Sequence, residues 1–204
     1  MADMKKRHTR IVSIEGPDGV GKTTQTQLLL KNLVHTGKRA VALKLPMARM
    51  PTGRVIYSML DSGSARRWPT VFQAIQLVDK LVPQLACLPF LLATQDYVLL
   101  DRWSTSATVY GRATGVHDSF LQLGERLLVR PDAVVVLEGP NVRNMNMGDN
   151  DSYDRSAELQ HRVRGEYAVW AEHNKDVAVT VDAVGTVDDV SCRIWNALVD
   201  KEVV

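Results

Sequence analysis

The feature that most constrains this chain is a glycine-rich segment at residues 16–23, which reads GPDGVGKT. It fits the pattern G-x-x-x-x-G-K-[ST], follows the apolar run Ile11–Glu15, and opens a helix predicted from Lys22 to Thr36. Glycines let the main chain wrap closely around phosphate oxygens, and the amide groups that begin the helix donate to them. A strand, this loop and a helix, in that order, predict a phosphate-binding loop.

Most positions of this loop have an expected role in binding a nucleotide. Lys22 should reach the β- and γ-phosphates of a nucleotide, and Thr23 should be a ligand of Mg²⁺. The loop alone indicates a nucleotide and no particular reaction, because switches and motors use the same loop. The residues expected to bind the phosphates of ATP are Gly16, Gly19, Val20, Gly21, Lys22, Thr23 and Thr24.

Short apolar runs alternate with helical segments along the whole chain. This alternation predicts βαβ units, and therefore a three-layer α/β/α fold with a central five-stranded parallel sheet in a single domain spanning residues 1–204. The predicted strands are Ile11–Glu15, Ala40–Leu45, Tyr97–Leu100, Ala133–Leu137 and Val177–Val181. The predicted helices are Lys22–Thr36, Thr52–Asp61, Pro69–Ala93 broken near Pro83 and Pro89, a segment after Asp101 through Tyr110, His117–Val129, Asp154–Asn174 and Val187–Val199.

Ligands of such sheets bind beyond the carboxyl ends of the strands. We therefore expect four segments to converge on one side of the molecule, because each follows a strand. They are the glycine loop, Pro46–Arg49, Asp101–Arg102 and Glu138–Arg143.

Composition argues against several other classes of protein. The formal net charge is only +2 with no long basic block, which gives little support for binding a nucleic-acid polymer. The basic start of the chain has no apolar stretch after it, and the longest apolar run, Leu85–Ala93, is too short to span a bilayer. Cys87 and Cys192 fit no metal-binding spacing, and Cys87 is expected to be a buried, reduced core residue. Binding to a membrane is not predicted, and a cytoplasmic location is expected as the default.

Several segments together resemble the thymidylate kinase family of P-loop nucleoside monophosphate kinases. Residues 14–25 (IEGPDGVGKTTQ) match the family's loop, in which Asp18 occupies the position of a carboxylate beside the acceptor sugar. Residues 101–111 (DRWSTSATVYG) match the family pattern D-R-x-x-x-S-x-x-A-[YF], with Val109 in place of the usual alanine. Residues 131–138 (PDAVVVLE) resemble the strand before the family's lid, and residues 159–167 (LQHRVRGEY) resemble the helix after it.

The resemblance implies transfer of the γ-phosphate of ATP to dTMP, with Mg²⁺ held by Thr23 and Asp101. Lys22, Arg102 and an arginine from the lid would stabilise the negative charge that develops on the transferred group. Together with Asp18, these are the predicted catalytic residues. The acceptor nucleotide would be held by Asp18, Pro46, Arg49, Phe72, Gln76, Arg102, Ser106, Tyr110 and Tyr153.

The chain departs from the family pattern at two acceptor positions. Gln76 stands four residues after Phe72, where the family has an arginine that contacts the base. An amide can both donate and accept hydrogen bonds, so dUMP or a 5-substituted dUMP stays open as the acceptor. Arg49, expected to hold the acceptor phosphate, comes one residue later than in the family.

A polar segment at residues 139–156 is expected to form the lid. Some family members carry a basic residue in the loop directly after the carboxylate, but this chain has Gly19 there, so the catalytic arginine should come from the lid. Arg143 is the first choice, with Arg155, Arg162 and Arg164 as further candidates.

Two further alternatives to the leading hypothesis remain open. A deoxynucleoside kinase would need a base for the acceptor hydroxyl, for which Glu15 or Asp101 is available. A P-loop switch protein would bind nucleotide without transfer. Family members are commonly homodimers, and the residues that could supply such a face, or equally belong to the core, are Ile75, Leu77, Val78 and Leu81.

Overall fold

The computed structural model describes residues 9–140 and 157–204. Within these ranges the strands form one parallel sheet in the order β2-β3-β1-β4-β5, which confirms the predicted five-stranded parallel sheet. Each strand lies within one residue of its predicted limits. The strands are Arg10–Glu15 (β1), Ala40–Lys44 (β2), Tyr97–Asp101 (β3), Ala133–Glu138 (β4) and Ala178–Asp182 (β5).

Helices cover both faces of this sheet. Along the described chain they are Lys22–His35 (α1), Pro51–Asp61 (α2), Ser64–Arg67 (α3), Pro69–Ala86 (α4), Leu88–Thr94 (α5), Ser104–Ala113 (α6), Asp118–Leu127 (α7), Ala157–His173 (α8) and Val187–Asp200 (α9). Helices α1 and α9 bury Leu33 and Ile194 against one face of the sheet. On the other face, two clusters bury side chains of the remaining helices, such as Val163 and Leu88. The three-layer arrangement is therefore as predicted, because alternate residues of each strand pack in opposite directions.

The segment between residues 69 and 94 differs from its prediction. Pro83 lies inside α4 without ending it, and Pro89 lies in the first turn of α5, where a proline costs little. The two helices meet at Cys87, two residues before Pro89, with a bend of 46°, so the predicted break near Pro89 is confirmed and the one near Pro83 is wrong. Cys87 is exposed at this junction, so the prediction of a buried core cysteine is wrong. No single helix of the described ranges is long and apolar enough to cross a bilayer; α4 and α5 meet that test only as a bent pair.

Strand register brings the functional segments to one edge. Asp101 of β3 pairs with Ile14 of β1 on one side and with Lys44 of β2 on the other. The chain therefore leaves all three strands at the same level. The glycine loop, the segment after β2 and the Asp101–Arg102 corner come together as expected for the carboxyl edge of a parallel sheet.

Candidate active site

A cavity of about 300 Å³ opens at this edge, between the phosphate loop and helices α2, α4 and α6. Most of the predicted site residues line it. They are Asp18, Gly19, Gly21, Lys22, Thr23, Thr24, Pro46, Phe72, Gln76, Asp101, Arg102, Ser106 and Tyr110.

Within residues 9–140, three predicted site residues do not line the cavity. Gly16 packs beneath the loop, where a Cβ would come within 2.5 Å of the Leu137 carbonyl oxygen, and the Val20 side chain lies in the core. Arg49 is exposed in the turn before α2. Gly16 and Val20 could serve a phosphate only through their main-chain amides, whereas Arg49 would have to turn towards the site.

The predictions for the lid fall largely outside the described residues. Arg143, Tyr153 and the alternative Arg155 lie there, and only Gly139 and Pro140 of the predicted lid are described. The other two candidates, Arg162 and Arg164, are exposed on α8. The lid and its catalytic arginine therefore stay predictions.

The start of α1 is built to receive an anion. Gly21 precedes the helix in a left-handed conformation with φ 94°, which glycine adopts without strain. Because glycine has no side chain, no side chain at this position caps the first amides of α1, and the cavity is lined here by Gly21, Lys22, Thr23 and Thr24. Lys22 is buried, and its Nζ donates to the carbonyl oxygen of Pro17 across the loop. This places a positive charge at the N-terminus of a helix, an arrangement that favours binding of phosphate.

Asp18 is the most heavily contacted carboxylate of the cavity. The Tyr110 hydroxyl donates to its Oδ2 at 2.6 Å, and the Gln160 amide nitrogen donates to the same oxygen at 3.3 Å. Arg102 forms an ion pair with Oδ1, and Lys22 Nζ lies 3.9 Å from that oxygen. The carboxylate is thereby fixed between the phosphate loop and helices α6 and α8.

Sequence reasoning assigned no role to Gln160. Its amide also accepts from the Asp18 main-chain N–H at 3.4 Å, so it binds both ends of that residue. The only sequence signal was its place in residues 159–167, the segment that resembles the helix after the family's lid. A glutamine 142 positions from its partner gives no local pattern from which the contact could be predicted.

Arg102 is held in an unusual main-chain conformation. Its φ is 67°, a left-handed value that is costly for a residue with a side chain. Its N–H donates to the Ile14 carbonyl oxygen at 3.2 Å, and its guanidinium lies 5.6 Å from the centre of the Tyr110 ring. A guanidinium has five donors, so Arg102 can hold Asp18 and still donate to phosphate oxygens.

Thr23 and Asp101 form a pair that fits a magnesium ion. The Thr23 hydroxyl donates to Asp101 Oδ2 at 2.6 Å, and both residues line the cavity. Hydroxyl and carboxylate oxygens are the ligands that Mg²⁺ prefers. Across the described ranges no three His, Cys, Asp or Glu side chains converge into a metal site. An ion held here would therefore need phosphate oxygens as further ligands, as is usual for Mg²⁺ with nucleotides.

Glu15 organises the floor of the site from below. It is fully buried, and its carboxylate accepts from the Ser106 hydroxyl, from the Trp103 main-chain N–H at 2.6 Å and from the Ser13 hydroxyl at 2.7 Å. The Tyr167 hydroxyl lies 3.0 Å from Ser106 Oγ, and burial together with the charge of Glu15 raises the pKa of Tyr167. The phenol therefore stays protonated, and Glu15 has no free oxygen facing the cavity.

Two further residues lie near the site. Trp103 is buried in the core, with its Nε1 donating to the Val129 carbonyl oxygen at 2.8 Å. Lys44 was not considered, yet it lines the cavity at the end of β2. No sequence signal pointed to it, because Lys44 lies inside the predicted strand Ala40–Leu45, whereas Arg49 was predicted from its place after that strand.

The loop between β5 and α9 is held in place by side chains. The Arg193 guanidinium donates to the carbonyl oxygens of Asp182 at 2.8 Å and Val184 at 2.5 Å. The Gln25 amide nitrogen donates to the Val187 carbonyl oxygen at 2.9 Å. The loop is thus tied to the same helix, α1, that begins at the phosphate loop.

Comparisons with known proteins agree with this geometry. The family model described as thymidylate kinase matches residues 14–194. A probable thymidylate kinase of Thermococcus onnurineus is 30% identical over 202 residues, covering 94% of this chain and 97% of that protein. The thymidylate kinase of Schizosaccharomyces pombe is 25% identical over 206 residues, covering 93% and 91%.

The solved structure of thymidylate kinase from Candida albicans has the same fold, with a TM-score of 0.76 at 19% identity over 96% of this chain and 93% of that one. The family match covers the phosphate loop, the Asp101–Arg102 corner and the helix that carries Gln160. The chain therefore belongs to the thymidylate kinase family.

Proposed function

We propose that this chain transfers the γ-phosphate of ATP to dTMP, giving ADP and dTDP. The reaction class follows from the family, whose members are ATP-dependent phosphotransferases acting on small nucleotides. The observation that carries the proposal is one cavity lined both by the phosphate loop and by Phe72, Gln76 and Tyr110. A switch protein needs a place for one nucleotide only, whereas this cavity extends beyond the phosphate loop to a second, partly apolar wall.

The chemistry requires charge stabilisation more than a base. An oxygen of the acceptor phosphate is already anionic and attacks the γ-phosphorus in line with the departing ADP oxygen. Lys22 and Arg102 would stabilise the charge on the transferred group, and Arg143 of the lid is the proposed third cation. The buried, fully engaged carboxylate of Glu15 supports this view, because a deoxynucleoside kinase would need a free base there.

Magnesium is proposed to be held by Thr23 and Asp101 together with phosphate oxygens. When bound, it supplies positive charge to the phosphate oxygens. The residues of this chain orient that charge, since Thr23 opens α1 and Asp101 ends β3, two rigid elements. The lid would exclude water that could otherwise accept the phosphoryl group.

The acceptor is proposed to lie along α4 and α6. Asp18 and Tyr110 would face its sugar, and Phe72, buried on α4 one turn from Gln76, would pack against its base. Pro46, Ser106 and the lid residue Tyr153 complete the proposed set. Arg49 remains proposed for the acceptor phosphate, and the position of Lys44 in the cavity wall supports it as a second cation for that group.

The decisive test is an acceptor panel. ADP formation from Mg·ATP is measured with dTMP, dUMP, dCMP, dGMP and thymidine, and dTMP is expected to give the highest kcat/KM. Preference for dUMP would replace dTMP with the alternative monophosphate. Preference for thymidine would make the chain a deoxynucleoside kinase, and tight ATP binding without transfer to any acceptor would make it a switch.

A homodimer in the cytoplasm is proposed as the working form. Of the four residues predicted for a dimer face, Val78 is exposed, whereas Ile75, Leu77 and Leu81 pack against the core. Val71 and Leu85 lie seven residues to either side of Val78 on α4 and are also exposed, so the three form an apolar stripe on one side of that helix. This α4 stripe supports pairing with a second copy of the chain.

A further inference from the structure

Gln76 has a neighbour that fixes which way its amide points. Lys80 lies one turn later on α4, and its Nζ is 3.1 Å from Gln76 Oε1 and 3.5 Å from the Gln76 carbonyl oxygen. Helical side chains lean towards the helix N-terminus, which is why a lysine four residues later reaches back to Gln76. An ammonium group only donates, so it is the amide oxygen of Gln76 that faces Lys80.

The Lys80 ammonium is itself well fixed. Its residue is only 2% exposed, a burial that long flexible lysines rarely show. The carboxylates of Asp79 and Glu15 act on it electrostatically. Asp79 is in turn anchored, because it accepts from the Thr52 hydroxyl at 2.6 Å and from the Met47 main-chain N–H at 3.3 Å. The Lys80 ammonium group therefore has a fixed position, and its hydrogen bond fixes the orientation of the Gln76 amide.

The consequence for the cavity is a donor at the base-reading position. With Oε1 taken by Lys80, the group of Gln76 left for a ligand is the amide NH₂, which donates only. A pyrimidine with a keto oxygen at C4, such as thymine or uracil, accepts from that group. Cytosine presents an amino group at C4, so two donors would face each other and both would lose a partner.

We propose that Lys80 is a positioning residue for specificity, which holds Gln76 with its amide NH₂ towards the acceptor base so that the site selects a 4-keto over a 4-amino pyrimidine. This inference rests on the proposed function, whose acceptor it defines further. The pair has no contact that reads the methyl group at C5, so it treats dTMP and dUMP alike.

The test is substitution of Lys80 by methionine, which keeps length and apolar volume but removes the donors. In Lys80→Met, the ratio of kcat/KM for dTMP to that for dCMP should fall by about tenfold or more. The change should lie mainly in the KM of dTMP, with the KM of ATP and the dTMP to dUMP ratio unchanged. Lys31→Met, an exposed lysine of α1, is the matched control and should keep the wild-type ratio.

A second variant makes the test independent of the folding of a buried mutant. Gln76→Met, at a half-buried position, should lower the dTMP to dCMP ratio as far, and Lys80→Met should lower it no further in that background. Unchanged discrimination in either folded single variant would overturn the inference.

The pH profile separates positioning from a structural role. Burial lowers the pKa of Lys80 to about 8, against the opposing influence of Glu15 and Asp79. A neutral amine can also accept a hydrogen bond, which frees the Gln76 amide to turn. The dTMP to dCMP ratio of the wild type should therefore fall as pH rises through 8 and stay flat in Lys80→Met.

A wild-type ratio that does not change between pH 7 and 9 would also overturn the inference. Calorimetric titration with dTMP and dCMP measures the same discrimination without turnover. Preferential binding of dTMP that depends on Lys80, in a protein that transfers no phosphate, would refute the proposed function and uphold the inference.

Discussion

Asp18 joins the two halves of the candidate site. It belongs to the phosphate loop, yet its carboxylate is bound by Tyr110 of α6 and Gln160 of α8. Its ion pair with Arg102 places an arginine and a carboxylate together in the cavity wall. A residue with this many partners transmits any displacement of α6 or α8 to the phosphate loop.

Lys22 is the residue whose loss should affect transfer most. Lys22→Met keeps the buried volume but removes the positive charge at the β- and γ-phosphates, so kcat should fall by about 100-fold or more. The measurement is ADP release at saturating ATP and dTMP. Lys31→Met on the exposed side of the same helix should retain wild-type turnover, and an active Lys22→Met enzyme would contradict the role of the loop.

Gln160 should act on the acceptor more than on ATP. Gln160→Leu removes the hydrogen bonds to both ends of Asp18 and should raise the KM of dTMP by about 5- to 10-fold, since each net bond is worth about 1 kcal/mol. Steady-state kinetics with each substrate varied in turn measures the KM of dTMP and the KM of ATP separately. His161→Ala, at the exposed neighbouring position, is the control and should leave both KM values unchanged. If Gln160→Leu raised the KM of ATP as much as the KM of dTMP, a role for Gln160 mainly in acceptor binding would be refuted.

Among the elements, α2 depends on one close approach. Gly53 lies against the segment after β2, where a Cβ would come 2.0 Å from the Met47 carbonyl oxygen. Gly53→Ala must push α2 away from that segment, which contains Pro46 and precedes the cavity wall formed by Ile56 and Tyr57. The packing of α2 therefore affects the shape of the part of the cavity proposed to hold the acceptor.

Two glycine substitutions in helices test this link. Gly53→Ala should lower the free energy of unfolding by about 2–3 kcal/mol through overpacking and should raise the KM of dTMP. Gly165→Ala in α8 meets nothing within 4 Å and should raise the free energy of unfolding by about 0.5–1 kcal/mol, as expected for alanine in a helix. Urea denaturation measures the free energy of unfolding of both variants. If Gly53→Ala changed it as Gly165→Ala does, local helix propensity would outweigh the close contact at Gly53.

At the scale of the whole molecule, the buried Lys80 makes stability depend on alkaline pH. Its pKa is lowered from 10.5 to about 8 by burial, with Glu15 and Asp79 acting in the opposite direction. Between these two values the unfolded chain binds more protons at this site than the folded chain. Stability from this residue therefore rises with pH across that window, and the penalty for burying the charge is present in full below pH 8.

Comparison of the wild type with Lys80→Met isolates this effect. The difference in free energy of unfolding should move in favour of the wild type by about 3 kcal/mol between pH 8 and pH 10.5. Urea titrations of both proteins from pH 7 to 10.5 measure it. A difference that does not vary with pH would mean that Lys80 titrates as an exposed lysine does.

The α4 stripe gives a prediction for assembly. Val78→Glu places a charge in the proposed face between copies, so it should shift the protein from dimer to monomer in sedimentation velocity at micromolar concentration. Val34→Glu, at an exposed valine of α1, should leave the sedimentation coefficient unchanged. A wild type that is monomeric across this range would refute the proposed homodimer.

The sequence predicted the fold closely, and it predicted that the glycine loop and Asp101 meet at one edge of the sheet. Each strand is a contiguous apolar run, and the phosphate loop is a contiguous motif, so the information lies within a few neighbouring residues. Thr23 and Asp101 lie together because the loop after β1 and the end of β3 meet at one edge of the parallel sheet, and their role as magnesium ligands stays a prediction. The short helix α3 was missed, since four residues carry no helical period.

The sequence by itself therefore determined the sheet, the phosphate loop and the residues that strand ends carry to the cavity. Only the tertiary structure decided that Gln160 holds Asp18, that Lys44 and not Arg49 lines the cavity, and that Cys87 faces solvent. The reason is physical. Local patterns determine where a strand or helix begins and ends. Contacts between side chains that are far apart in the chain depend on how the elements pack together, and so does the burial of any one side chain.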